Sequence, residues 1–198
     1  MAHVGREEQA DVPRGPVGED GTMRPLARAS AFTLIVLSAT GSVSCAALTG
    51  AQSPAGMASD FAVRDIEGKT FRLSDHLGKE VILLDFWATW CEPCLSEMPH
   101  LEKMYEENKG KGFLLVGIAM DGPETVADVP SFVQRHEMTF PVVLDEDSHV
   151  VSIYNPKRSA PLSVLIDKTG RIVRVRESYN PGDENLVRAD VAAALASP

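Results

Sequence analysis

Two cysteines, Cys91 and Cys94, stand two residues apart, and their type and spacing offer the most specific chemistry in the sequence. A Cys-x-x-Cys pair can close into a disulfide and open again, so it can exchange disulfides with another protein. The nucleophile in that exchange is a thiolate, whereas a free cysteine with a pKa of about 8.5 is mostly protonated at neutral pH. The pair therefore needs surroundings that favour the anion.

The residues on either side of the pair predict such surroundings. An apolar run of strand length precedes it at 81–87, and apolar residues at helical spacing follow it. Cys91 would then lie at a helix N-terminus, where unpaired backbone N–H groups favour a negative sulfur. Pro93 fits the first helical turn because proline has no N–H. We predict that Cys91 attacks a substrate disulfide and that Cys94, one turn inside the helix, resolves the mixed disulfide.

The same spacing also occurs in zinc sites, which need a second pair of Cys or His ligands. The sequence has no such pair, because His100, His136 and His149 stand alone. No metal site and no cofactor are therefore expected, since the cysteine pair itself stores the electrons. A copper-binding chaperone, with the two thiolates as soft ligands, stays open as an alternative.

The rest of the chain alternates predicted strands with predicted helices. Apolar or alternating runs predict strands at 61–64, 70–73, 81–87, 113–119, 141–144, 163–166 and 172–176. Helices are predicted after Cys94, at 124–136 with an interruption at Pro130, at 150–154, and at 183–195 with Asp183 as the cap. This order predicts an α/β fold with a mixed sheet and helices on both faces.

The stretch Val81 to Cys94, the following Glu97-Met98-Pro99 and the segments 140–145 and 160–167 together resemble the TlpA/ResA-like branch of the thioredoxin superfamily. The resemblance covers Phe61 to Leu195. It implies a thioredoxin-like three-layer fold: a mixed central sheet flanked by helices, with an added N-terminal β-hairpin and a central αβ insertion.

The resemblance also implies how a substrate binds. In that family the proline matching Pro161 follows a cis peptide bond and faces the active-site disulfide, and its backbone receives the substrate chain as an added strand. Leu162 stands where the family often has Thr. The predicted substrate-binding residues are Trp90, Glu92, Pro93, Ala160 and Pro161.

Two acidic residues are predicted to move protons. Asp85 lies within the apolar strand, where an unpaired carboxylate is costly, and it matches the buried Asp of thioredoxin. Glu97 matches the active-site Glu of ResA-like members. A buried carboxyl group with a raised pKa can take the proton of Cys94 as that thiol attacks. An exposed helix position without a role is the alternative for Glu97.

Glu92 predicts the direction of electron flow. A negative charge beside Cys91 disfavours its thiolate and therefore the reduced form of the pair. Destabilising the dithiol makes the couple more reducing, so we predict a reductant of protein disulfides. The resemblance implies clients such as apocytochromes c and a membrane thiol reductant as the electron donor.

The N-terminal segment has the three parts of an export signal. Residues 1–22 are polar and predicted to be disordered or an over-read start, and residues 23–50 hold two arginines, a short apolar run and a small-residue end. Cleavage, lipidation at Cys45 and retention as a membrane anchor are the three open fates. Residues 51–59 are predicted as a linker and 60–198 as the thioredoxin-like domain. All three fates predict export, to the periplasm or an extracytoplasmic membrane face.

The net charge of the chain argues against one class of binding partner. A formal net charge of −9 over 198 residues disfavours nucleic-acid binding, which requires clustered Lys and Arg.

A peroxiredoxin, which shares the fold, is the enzymatic alternative. That family typically has Thr or Ser three residues before its reactive cysteine and Pro seven before, where this chain has Ala88 and Leu84.

Overall fold

The computed structural model describes residues 56–197, which form seven strands and four α-helices. The strands are β1 (Ala62–Asp65), β2 (Thr70–Arg72), β3 (Val81–Trp87), β4 (Phe113–Ala119), β5 (Val142–Leu144), β6 (Leu162–Ile166) and β7 (Ile172–Glu177). The helices are α1 (Glu92–Asn108), α2 (Val129–Arg135), α3 (His149–Tyr154) and α4 (Glu184–Ala196). The predicted segments 1–22 and 23–50, with Cys45, lie outside the described residues.

The strands form one mixed sheet in the order β2-β1-β5-β4-β3-β6-β7. β3 runs parallel to β4 and β4 parallel to β5, whereas β6 is antiparallel to both β3 and β7. β1 is antiparallel to β2 and to β5. The predicted mixed sheet is confirmed.

The central strand β3 separates two layers of side chains. Its residues alternate between the faces, so that Val81, Leu83 and Trp87 join one buried cluster and Ile82 and Leu84 join the other. Helices α1, α2 and α4 cover the first face and α3 covers the second. The predicted arrangement of helices on both faces is confirmed. Because β3 is buried on both faces, any polar side chain within it is removed from water.

Gly117 on β4 has no side chain, which leaves room for Phe140 and Trp87 to pack beside β3. It lies opposite Asp85 in the parallel register. A Cβ atom at this position would come within 3.0 Å of both the Phe140 ring and the indole nitrogen of Trp87. Contacts this short require the neighbours to move, so a larger residue here would disturb the layer that contains Asp85.

One predicted helix feature is wrong, and another is correct in position only. Pro130 does not interrupt a helix, because it occupies the first turn of α2, where proline leaves no N–H unpaired. Asp183 occupies the N-cap position of α4 but makes no capping hydrogen bond. Its carboxylate instead accepts the backbone N–H of Asn180 at 2.8 Å, within the preceding loop.

Residues 56–59, at the end of the predicted linker, run alongside the β6–β7 turn. The Ile172 N–H donates to the Gly56 carbonyl and the Ala58 N–H to the Gly170 carbonyl, each at 2.8 Å. Ala58 is buried. The chain is therefore hydrogen-bonded to the domain from Gly56 onward.

Candidate active site

Cys91 and Cys94 are joined by a disulfide at the start of α1, with an S–S distance of 2.03 Å. Cys91 is the N-cap residue, and its Sγ accepts the backbone N–H of Cys94 at 3.3 Å. Pro93 lies in the first turn, as predicted. The Cys94 amide therefore points at the sulfur that would carry negative charge in the reduced protein.

Trp90 is exposed, whereas the two cysteines that follow it are buried. Trp90 is 62% exposed, while Cys91 is 4% and Cys94 1% exposed. Cys94 is thus the more enclosed of the pair, although both are covered. Leu95 packs partly against the buried cluster that contains both cysteines. Trp90 is therefore the exposed side chain next to the buried cysteine pair.

The peptide bond between Ala160 and Pro161 is cis, as the family resemblance implied. Pro161 directly precedes β6, whose first residue, Leu162, pairs with Phe86 near the end of β3. The cis-proline lies directly before β6 and the disulfide loop directly after β3, so both lie at the same end of the sheet. Ala160 packs against the buried cluster that contains both cysteines.

Asp85 is buried in the middle of β3, between Ser163 on β6 and Gly117 on β4. Its Oδ1 has no hydrogen-bond partner among the described residues. Removal from water raises the pKa of Asp85 well above its usual range, and the negative charge of Glu97 raises it further. Both effects favour the protonated form of the carboxyl group.

Glu97 is buried on α1 and borders a small cavity of about 80 Å³. The cavity walls include Pro161, Ser163 and the Tyr179–Asp183 loop. Burial raises the pKa of Glu97 to about 7, helped by the charges of Asp183 and Glu184. Glu97 is thus enclosed and shares a cavity with the cis-proline, which excludes the alternative of an exposed helix position.

Glu92 and Pro93 line a shallow groove on the outer side of the disulfide. Both are exposed, and the opposite wall of the groove is made by Tyr179 and Pro181 from the loop before α4. The five residues predicted to bind substrate thus divide between two places: Trp90, Glu92 and Pro93 at the start of α1, and Ala160 and Pro161 before β6.

Two buried polar residues near the site escaped the sequence analysis. Asp121, two residues after the end of β4, accepts hydrogen bonds from Thr89 in the disulfide loop. Asn155, directly after α3, bonds the backbone of Ser159 just before the cis-proline. Asp121 lies 32 residues from its partner, so no local pattern signals the contact. Asn155 lies only four residues from Ser159 and could have been recognised as a candidate turn residue.

The sheet order, the disulfide at a helix N-terminus and the cis-proline beside it together define a thioredoxin-like protein. A profile of the AhpC/TSA family matches residues 54–175, which is more than half of the chain. The chain therefore belongs to the AhpC/TSA family, and the thioredoxin-like fold is confirmed.

Curated relatives support the ResA-like branch. The thiol-disulfide oxidoreductase ResA of Bacillus cereus is 41% identical over 116 residues, which cover 59% of this chain and 65% of the relative. ResA of Halalkalibacterium halodurans is 39% identical over 116 residues, covering 59% and 64%. The predicted resemblance is confirmed. The matched part spans less than two thirds of the length of these relatives.

Solved structures of similar proteins share the fold of this chain. A Chlorobium tepidum protein assigned as the thiol:disulfide interchange protein DsbE has a TM-score of 0.65 and 32% identity, covering 71% of this chain and 96% of that one. A secreted Mycobacterium tuberculosis disulfide oxidoreductase homologous to E. coli DsbE has a TM-score of 0.57 and 26% identity, covering 67% and 95%.

Residues 56–197 contain neither a candidate metal-binding cluster nor a candidate membrane span. No group of three or more His, Cys, Asp or Glu side chains in this part of the chain is arranged to hold a metal ion. Within the same residues, every helix is too short or too polar to cross a membrane.

Proposed function

We propose that this chain is an exported thiol–disulfide oxidoreductase that reduces disulfides in other proteins. The observation that carries the proposal is the Cys91–Cys94 disulfide at the N-terminus of α1, at the same end of the sheet as a cis-proline. The similarity to proteins named thiol-disulfide oxidoreductase supports it.

The first step of the cycle is attack on the client. In the reduced protein the Cys91 thiolate attacks one sulfur of a client disulfide and forms a mixed disulfide, and the other client sulfur leaves as a thiolate. The helix N-terminus favours the attacking anion, because the Cys94 N–H already points at the Cys91 sulfur. The client chain pairs with the backbone beside Pro161 as an added strand.

The second step releases the reduced client. The Cys94 thiol loses its proton to a buried carboxylate and attacks the Cys91 sulfur, so the Cys91–Cys94 disulfide forms and the second client sulfur leaves as a thiolate. The client gains two electrons and this protein loses two. Glu97, whose pKa is about 7, is suited to accept that proton near neutral pH. On β3, Asp85 alternates to the same face as Leu83 and Trp87, and burial raises its pKa well above the usual range.

The direction of the reaction follows from the charges at the site. Glu92 lies at the first position of α1, next to Cys91. Its negative charge opposes the Cys91 thiolate and makes the dithiol a better electron donor. The disulfide left after each cycle is then reduced by a thiol donor at the membrane, which completes the electron balance.

Export is supported by the basic and apolar pattern of residues 23–50 and by the similarity to a secreted disulfide oxidoreductase. In an oxidising compartment, client thiols become oxidised and require a reductant. The proposed clients include the haem-attachment cysteines of apocytochromes c. Three fates of the N-terminal segment fit this proposal: cleavage that releases a soluble protein, lipid on Cys45, or retention as an anchor.

Insulin reduction by the full chain with a dithiol donor tests the proposed activity. We expect Cys91→Ser to abolish it, and Cys94→Ser to accumulate a mixed disulfide at Cys91 that mass spectrometry detects. Cys45→Ser is the matched control and should leave the insulin reaction unchanged. Full insulin reduction by Cys91→Ser would contradict the proposal.

Replacing insulin with hydrogen peroxide in the same assay distinguishes a peroxiredoxin from a reductant of protein disulfides. The two positions where peroxiredoxins have a hydroxyl residue and a proline hold Ala88 and Leu84, and both are buried apolar side chains here. We expect slow consumption of peroxide. Rapid peroxide turnover that survives Cys94→Ser would favour the alternative.

A further inference from the structure

The end of strand β4 carries a buried carboxyl group that holds the disulfide loop. Asp121 follows β4 by two residues and is buried. Its Oδ2 accepts the backbone N–H of Thr89 at 3.1 Å, and its Oδ1 accepts the Thr89 hydroxyl at 2.5 Å. Thr89 immediately precedes Trp90 and Cys91, so these two bonds fix the backbone that presents both residues.

The neighbouring residue, Met120, connects the same strand end to the cis-proline loop. Its backbone N–H donates to the Trp87 carbonyl at 2.8 Å, and its sulfur accepts the side-chain amide of Asn155 at 3.4 Å. Asn155 is fully buried. Its amide nitrogen donates to the Ser159 carbonyl at 2.7 Å and its oxygen accepts the Ser159 N–H at 2.8 Å.

Both loops that form the candidate active site are thus held by buried polar side chains. Asp121 bonds the loop that ends in Cys91, and Asn155 bonds the loop that ends in Pro161. Met120 links the two, because it contacts both β3 and Asn155. Buried polar groups whose hydrogen bonds are complete make a backbone segment rigid and fix a single geometry.

We propose that Met120, Asp121 and Asn155 are positioning residues that set the spacing between the disulfide and the cis-proline strand on which a client docks. The proposal rests on the proposed function, in which a client must contact both loops at once. It adds a group of residues outside the Cys-x-x-Cys loop and the proton-transferring pair.

Such positioning affects protein clients more than small disulfides. A protein client must pair with the backbone at Pro161 while its sulfur reaches Cys91, so a change in loop spacing lowers the fraction of productive encounters. A small disulfide makes no strand pairing at Pro161, so its reaction depends only on access to Cys91. Loss of Asp121 should therefore lower kcat/KM for insulin by about 10-fold or more and change kcat/KM for a small aromatic disulfide by less than about threefold.

Asp145 provides a matched control. It is also a buried aspartate at the end of a neighbouring strand, β5, and its oxygens accept the Val150 and Val151 N–H groups at 2.9 and 2.8 Å. These bonds hold α3 and touch neither active-site loop. Asp145→Ala therefore removes a comparable buried carboxyl group without releasing Thr89 or Ser159.

The test compares Asp121→Ala, Asp121→Asn and Asp145→Ala in the full chain. Thermal unfolding, insulin reduction and reduction of the small disulfide are measured for each variant. We expect the selective loss with insulin only for Asp121→Ala, and recovery to within about threefold of the unmodified chain for Asp121→Asn, which keeps one acceptor oxygen. Equal losses for both substrates, or equal losses in Asp121→Ala and Asp145→Ala, would overturn the proposal.

Milder changes and hydrogen exchange keep the proposal testable if Asp121→Ala does not fold. Thr89→Val removes the hydroxyl bond while the backbone bond stays, and Thr89→Ser restores it, so only the valine variant should show the selective loss. The Cys91 N–H donates to the Ala88 carbonyl at 3.0 Å within this loop, so its exchange should accelerate in Thr89→Val and stay unchanged in Asp145→Ala. An unmodified chain that fails to reduce insulin would refute the proposed function, whereas unchanged exchange at Cys91 in Thr89→Val would refute the positioning role.

Discussion

Glu97 follows Cys94 by three residues on α1, so the carboxyl group and the enclosed sulfur lie on the same buried face of the helix. The carboxyl group also borders the cavity beneath the cis-proline. In the proposed cycle, Glu97, with a pKa of about 7, is therefore on the side of the helix where the Cys94 thiol is deprotonated.

Glu97→Gln should slow the second step of the cycle. Glu97 accepts a proton only when ionised, so the rate of client release in the unmodified chain should rise with a midpoint near pH 7. The glutamine variant should lose this midpoint and react about 10- to 100-fold more slowly at pH 8. Stopped-flow measurement of mixed-disulfide decay checks both. Glu146→Gln, an exposed acid in the β5–α3 loop, should keep the unmodified profile.

Asp85→Asn should stabilise the oxidised protein at alkaline pH. Burial holds the pKa of Asp85 well above its usual range, so the folded state keeps a proton that the unfolded chain has lost. The free energy of unfolding of the unmodified chain therefore falls as pH rises above the unfolded pKa, and the asparagine variant should escape that loss. The difference between the two chains should widen as the pH is raised from about 5 to about 8 in denaturant titrations. A difference that shrinks as pH rises would contradict this explanation.

Asp183→Asn should move the pH midpoint of the Glu97-dependent step to lower pH. Burial is the main reason for the raised pKa of Glu97, and the charge of Asp183 is the next. Removing that charge makes ionisation of Glu97 easier, so the rate of client release at pH 6 should increase about twofold. The asparagine can still accept the Asn180 N–H, so the loop before α4 is retained. An unchanged midpoint would show that Asp183 does not act on Glu97.

Trp90→Ala should weaken client binding without weakening the fold. Trp90 is 62% exposed beside the disulfide, and large exposed aromatic side chains often supply much of the energy at protein interfaces. We expect KM for insulin to rise about 10-fold with kcat nearly unchanged. The free energy of unfolding should change by less than about 0.5 kcal/mol. Val175→Ala, which trims an exposed residue on β7, is the control and should leave KM unchanged.

The central features of the site could be predicted because they are local in sequence. The apolar strand before Cys91, Pro93 in the first helical turn and the spacing of Cys94 each specify one part of the disulfide geometry. The cis state of the bond before Pro161 could come only from the family resemblance, because a proline after alanine is compatible with either isomer.

The features that sequence reasoning missed depend on contacts across the sheet. Asp121 binds Thr89 from the end of a different strand, and only the parallel register of β3 and β4 brings the two together. Asp183 has a residue type that favours capping, yet the tight loop before α4 directs its carboxylate to Asn180. In both cases the tertiary arrangement of the backbone decides the partner of a carboxyl group.

A redox titration of the full chain tests the central claim most directly. Equilibration against thiol–disulfide buffers, with closure of the Cys91–Cys94 bond followed by alkylation and mass spectrometry, yields the reduction potential of the pair. We predict a reversible two-electron transition in the reducing part of the range, below about −200 mV. A potential near −120 mV would identify an oxidant and contradict the predicted direction. Two cysteines that never close reversibly would contradict the account as a whole.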